Sequence, residues 1–68
     1  MRFDEFCAAW AMQLRNMVPR ERMGQYLMNY LHDVKPQIYA NLCATSEDPF
    51  YDDSKIASAL AAIEDQWQ

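Results

Sequence analysis

A single glycine, Gly24, occurs in the 68 residues of this sequence, and this scarcity restricts the fold more than any other feature. A β-sandwich or barrel needs turn residues at about every tenth position, and glycine is among the residues that such turns use most. The chain is also 51% hydrophobic, which favours a folded chain over a disordered one. We therefore predict one all-α domain that spans residues 1–68.

Apolar residues recur at three- and four-residue steps, which is the spacing of one face of an amphipathic helix. This pattern predicts helices over about residues 3–17 and 19–33, a short helix over 36–44, and a last helix that carries Ile56 to Trp67. The result is a compact bundle of three longer helices plus one short helix. Its predicted core consists of Phe3, Phe6, Trp10, Leu14, Met23, Leu27, Tyr30, Leu31, Ile38, Leu42, Ile56, Leu60 and Ile63.

The second predicted helix contains two residues that the apolar face does not explain. Met28 falls on the polar side with His32, either as an isolated exposed residue or as part of a partner-contact patch. Gly24 costs about 1 kcal/mol in a helix relative to alanine. We expect close approach of a neighbouring helix to require it.

The segment 46–53, which we call the acidic corner, contains four carboxylates, a proline and two adjacent aromatic residues. Large aromatic side chains are seldom left in solvent, so we expect both to face the helices while the carboxylates form an outward rim. Two interpretations remain open: a protein-binding surface, or a solvated helix boundary in which Asp52, Asp53 or Ser54 caps the last helix. The candidate protein-binding residues are Glu47, Asp48, Phe50, Tyr51, Asp52 and Asp53.

The formal net charge of −4 is unevenly distributed along the chain. Residues 1–35 contain five basic and four acidic side chains, whereas 36–68 contain one basic residue, Lys55, and six acidic ones. Binding to nucleic acid through phosphate contacts needs a basic stripe, so direct nucleic-acid binding is disfavoured. A basic protein, such as a nucleic-acid-binding complex whose groove the domain could occupy, is the partner that this charge suits.

Residues suited to catalysis or metal binding are sparse. His32 is the only histidine, and no serine or cysteine lies at a useful helical spacing from it. Cys7 and Cys43 lack ligand spacing and are predicted to be buried free thiols. The calcium-loop motif is absent. We expect no enzymatic activity, cofactor or metal, and the absence of a long apolar run predicts a cytoplasmic protein without a membrane span.

Residues 22–31 (RMGQYLMNYL) and 48–53 (DPFYDD), together with Ile56 and Trp67, resemble a group of short uncharacterised proteins carried by bacteriophages and prophages. The resemblance covers residues 22–67. It implies that the chain acts by binding a host protein, as phage inhibitors of CRISPR systems and of host polymerases do. It implies no catalytic residue.

These observations predict a small, acidic, non-enzymatic protein that binds and inhibits a host protein through its acidic half, with an anti-CRISPR inhibitor as the specific case. An alternative is a structural or regulatory homodimer in which apolar surface around Met28 and Trp67 pairs with itself. A small DNA-binding regulator, built on a helix-turn-helix of the second and third helices, is a further alternative that the charge disfavours.

Overall fold

The structure, a computed structural model, describes residues 1–67 and shows an all-α domain, with no strand in this range. Its helices are α1 (Phe3–Leu14), α2 (Met23–Val34), α3 (Pro36–Leu42) and α4 (Ile56–Gln66). One turn of 3-10 helix, Asp53–Lys55, leads directly into α4. The predicted set of three longer helices and one short helix is confirmed.

The connection between α1 and α2 is longer than the sequence predicts. Helix α1 ends at Leu14 rather than Met17, and α2 begins at Met23 rather than at Pro19. The backbone amide of Met17 donates to the carbonyl of Leu14, three residues back, at 3.3 Å, which is a tight turn and not an α-helical bond. The proline therefore lies in a connecting loop and does not start the helix.

The core takes buried side chains from α1, α2, α3 and α4, and α2 packs against both α1 and α3. Aromatic rings order one end of it: Phe6 stacks on Tyr30 at 5.1 Å between centroids and lies 5.1 Å from the ring of Trp67. The indole of Trp67 donates to the Met1 carbonyl at 3.0 Å, which ties the two ends of the described chain together. The buried apolar residues are Phe6, Leu27, Met28, Leu31, Ile38, Leu42, Ala59 and Ile63.

Two assignments on α2 were wrong. Met28 is 1% exposed and belongs to the core, because the segment after α3 packs over this part of α2, whereas Asn29 and His32 on the same side stay exposed as predicted. Met23 is 39% exposed and does not belong to the core, because it is the first residue of α2 and lies beside the loop. Its backbone still contributes to the packing, since its carbonyl accepts a hydrogen bond from the indole of Trp10 at 3.1 Å.

The two cysteines differ in their exposure. Cys7 is half-buried in α1, and burial, reinforced by the charges of Glu64 and Asp4, raises the pKa of its thiol. Cys43 is exposed because α3 ends at Leu42, one residue before it, so the expectation of a buried thiol was wrong there. Both are free thiols. Within residues 1–67, none of the helices has the length and apolar character needed to cross a membrane.

Candidate functional site

The acidic corner begins with a sharp reversal after α3 that Asp48 holds in place. Ala44 has a φ of 62°, the left-handed region, which costs an L-residue about 1–2 kcal/mol. The carboxylate of Asp48 accepts hydrogen bonds from the backbone amides of Ala44 at 2.7 Å and Phe50 at 2.9 Å. The hydroxyl of Thr45 donates to the Leu42 carbonyl at 2.7 Å. These bonds offset the strain and shape the loop.

Pro49 is the point at which the acidic corner packs against α2. It is fully buried, and its backbone carbonyl lies directly over Gly24. A Cβ atom at position 24 would collide with the Pro49 carbonyl oxygen and would lie 2.8 Å from its carbonyl carbon. The expected close approach at Gly24 therefore exists, but a loop makes it and not a helix.

Asp53 connects the acidic corner to the N-terminus of α2. Its Oδ1 accepts a hydrogen bond from the Gly24 amide at 2.9 Å, and its Oδ2 accepts one from the Met23 amide at 3.3 Å. The residue before the helix, Arg22, provides no side-chain cap. A carboxylate at this end also complements the helix dipole. Asp53 was predicted to belong to the rim or to cap the last helix, and instead it caps α2.

Asp52 caps the 3-10 turn that leads into α4, whereas α4 itself, which was predicted to be capped by Asp52, Asp53 or Ser54, has no side-chain cap. Its Oδ1 accepts hydrogen bonds from the Ser54 hydroxyl at 2.6 Å and the Ser54 amide at 3.0 Å. These bonds, with a smaller contribution from the positive charge of Lys55, hold the pKa of Asp52 below its usual value. Asp52 therefore stays ionised at neutral pH and is exposed.

Two other residues of the acidic corner remain available to a partner. Glu47 is exposed, and its carboxylate forms no hydrogen bond or ion pair with the rest of the described chain. Tyr51 is 78% exposed, although both aromatics were expected to face the helices. Only Phe50 does so: it is half-buried against the core and meets the Tyr51 ring edge-on at 4.8 Å.

A groove of about 420 Å³ opens between the acidic corner and the helices. Met28 lies at its base, and its charged lining groups are two carboxylates and one ammonium group. The sequence pattern did not indicate this groove, because Met28 of α2 joins residues 39–55 only through the tertiary fold. The lining residues are Met28, Tyr39, Cys43, Ala44, Thr45, Asp48, Phe50, Tyr51, Asp52 and Lys55.

Tyr39 and Cys43 form a pair on one wall of this groove. The Cys43 Sγ and the Tyr39 hydroxyl are hydrogen bonded at 3.6 Å, one helical turn apart. This hydrogen bond is the largest cause of the raised pKa of Tyr39, so the phenol stays protonated at neutral pH. The same ring meets His32 edge-on at 4.8 Å. The wall therefore offers aromatic surface and a neutral hydroxyl.

The described residues contain no cluster of three or more His, Cys, Asp or Glu side chains that could hold a metal ion. His32 is exposed, and its Nδ1 lies 3.8 Å from the carboxylate of its neighbour Asp33.

Comparisons of the chain with protein-family models, with curated proteins and with solved structures find no match.

Proposed function

We propose that this protein is a non-enzymatic binding protein that inhibits a basic host protein by engaging it with the acidic corner. One observation carries the proposal: Tyr51 is 78% exposed at the edge of a groove in the most acidic part of the chain. An aromatic ring in solvent loses the favourable burial that it could have. Exposed aromatics beside a pocket are typical anchors of protein interfaces.

The charges around Tyr51 give the surface its preference for a basic partner. Glu47 is available for pairing, and Asp48 and Asp52 line the groove while their other bonds fix them in position. Charges at the rim of an interface mainly accelerate association, whereas a buried aromatic anchor mainly slows dissociation. The combination is suited to rapid capture followed by a longer-lived complex.

We propose that the inhibited host protein is a nucleic-acid-binding complex. The specific case is that the chain acts as an anti-CRISPR inhibitor. The resemblance to short phage proteins supports a host target. A surface that binds nucleic acid must be basic, so an acidic protein seated on it would exclude the nucleic acid. The expected result is that expression of the chain in bacteria with an active CRISPR system restores plaque formation by a targeted phage. Unchanged plaque counts would exclude this specific case.

The alternative functions have less support. The homodimer interpretation used Met28 and Trp67 as exposed surface, but Met28 is in the core and Trp67 packs on Phe6 and Phe3. For a helix-turn-helix regulator, the recognition helix would be α3, which has seven residues and no basic side chain. Neither of these surfaces combines an exposed aromatic residue with a groove, as the acidic corner does.

Site-specific photocrosslinking in bacterial cells tests the proposal. A photoreactive amino acid replaces Tyr51 in one variant and Met12, which is also exposed but lies on α1, in a matched control. We expect a crosslinked protein of basic isoelectric point from position 51 and none from position 12. Equal crosslinking from both positions, or only acidic crosslinked proteins, would contradict the proposal.

A further inference from the structure

We infer that the groove beside Tyr51 receives one arginine side chain from an exposed basic segment of the partner. The inference rests on the proposed function and names the chemistry by which its surface recognises a partner. It depends on three features of the groove, which are its size, its aromatic walls and its charge.

The size of the groove suits a single long side chain. Its volume of about 420 Å³ lies near the lower end of the range of about 300–1,000 Å³ that is typical of ligand pockets. Met28 is 1% exposed and only closes the base of the groove, so the methylene groups of a long cationic side chain would pack on the aromatic residues that line it. A whole helix would need a longer trough.

The walls of the groove favour a planar cation. Tyr39, Phe50 and Tyr51 all line it. The rings of Phe50 and Tyr51 meet edge-on, and Tyr51 is 78% exposed. A guanidinium group stacks on an aromatic face and pairs with a carboxylate through two parallel hydrogen bonds, whereas an ammonium group acts as a point charge. Arginine therefore uses both features of this surface.

The charge of the groove is complementary to arginine. Asp48 and Asp52 line it, opposed by the single ammonium of Lys55. The Asp52 Oδ1 already accepts the two bonds from Ser54, while its Oδ2 accepts none from the described residues. The Oδ2 atom is thus the available acceptor for a guanidinium. The positive charge of Lys55 weakens this attraction. Removal of that charge should therefore strengthen the binding of an arginine side chain, whereas removal of the Asp52 charge should weaken it.

Nuclear magnetic resonance titration with model peptides tests this inference. The probe is a capped pentapeptide with one central arginine between glycines, and the matched peptides carry lysine or the neutral isostere citrulline instead. We expect the arginine peptide to produce saturable shifts of the backbone amides of Ala44, Ser54 and Lys55. The lysine peptide should bind about two- to fivefold more weakly, and the citrulline peptide should leave these amides unmoved.

The affinities of protein variants for the arginine peptide show which side chains contact it. Tyr51→Ala and Asp52→Asn should each weaken the arginine peptide about two- to fivefold. The fold should persist in both, because Tyr51 is exposed and asparagine caps a helix about as well as aspartate. Lys55→Gln should strengthen binding about twofold. The controls Met12→Ala and Asp65→Asn, which alter exposed residues outside the groove, should bind as wild type does.

The results separate failure of this inference from failure of the proposed function. Equal affinity for the arginine and citrulline peptides, or no change in Tyr51→Ala, would overturn the arginine inference. A silent peptide titration together with a specific crosslink from position 51 would overturn this inference alone. A silent titration without that crosslink would overturn the proposed function as well.

Discussion

The helical core and the acidic corner are stabilised by different interactions. In the core, Phe6, Leu27 and Ile63 have no exposed surface, and apolar burial is the main stabilising term. In the acidic corner, the carboxylates of Asp48, Asp52 and Asp53 each accept two hydrogen bonds, five of the six from backbone amides. The same class of side chain that forms a solvated surface elsewhere builds the local fold here.

This difference separates structural charges from available ones. Asp48 fixes the turn, and Asp53 caps α2 across 29 residues of sequence. The Glu47 carboxylate has no such bond within the described chain, and Tyr51, in the same segment, is 78% exposed. Lysine at position 48 would therefore disturb the fold and the surface together. Lysine at position 47 tests the surface alone.

The largest effect is expected in the core. Leu27→Ala should lower the free energy of unfolding by about 2–5 kcal/mol, because the side chain is fully buried and its removal leaves a cavity. In a domain this small, that loss is a large fraction of the total stability. Urea denaturation followed by circular dichroism measures it. The control Met12→Ala, at an exposed residue, should change stability by less than about 0.5 kcal/mol. Equal losses in the two variants would contradict this description of the core.

Gly24→Ala tests the contact between the two regions. At an ordinary helical position this change stabilises by about 1 kcal/mol. Here the added Cβ meets the backbone of Pro49, so we expect a loss of about 1–3 kcal/mol in thermal or urea unfolding. Asn29→Ala, at an exposed position of the same helix, should cause no loss. A Gly24→Ala variant more stable than wild type would show that the acidic corner does not pack on α2.

A smaller effect is expected from the long-range cap. Asp53→Ala should lower the free energy of unfolding by about 1 kcal/mol, the usual value of an N-cap. Hydrogen exchange of the Gly24 amide should become faster, because that amide loses its acceptor. Asp65→Ala, which removes an exposed carboxylate at the other end of α4, should leave both quantities unchanged. Unaltered exchange at Gly24 in the Asp53→Ala variant would disprove the cap.

The smallest effect concerns the titration of Asp52. Its pKa is lowered in the folded chain, so its contribution to stability is present above the pKa of the unfolded carboxyl, about 3.9. That contribution is lost as the pH falls through the lower folded pKa. Ser54→Ala should raise the pKa of Asp52 toward its usual value, and Ser58→Ala on α4 should not. A titration of the side-chain carboxyl carbon by nuclear magnetic resonance measures both, and an unchanged pKa in Ser54→Ala would contradict the assignment.

The all-α fold could be predicted from the sequence because helical periodicity is a local signal. The spacing of Phe6, Leu27, Leu31 and Ile63 placed all four in the core, where the structure also has them. Met28 was placed on the wrong side because a periodic pattern contains no information about a loop that returns to cover a second face of the helix.

The acidic corner was recognised from its composition, but its internal structure could not be predicted. A cap that joins Asp53 to the amide of Gly24 depends on tertiary structure, and no local motif indicates it. The groove likewise combines Met28, Tyr39 and Lys55, which are distant in sequence. The close approach at Gly24 could be anticipated because glycine within a helix is costly and needs a compensating contact.

Association kinetics with the crosslinked partner test most directly the central claim that the acidic corner is a binding surface. The measurement compares wild type, Glu47→Lys and the control Asp65→Lys, which carries the same charge reversal at the far end of α4. We predict that Glu47→Lys unfolds as wild type does, within about 0.5 kcal/mol, but associates several times more slowly. Asp65→Lys should retain most of the wild-type rate, and the wild-type rate should fall as salt is raised. If Glu47→Lys associates with the partner at the wild-type rate at low salt, the acidic corner is not the binding surface.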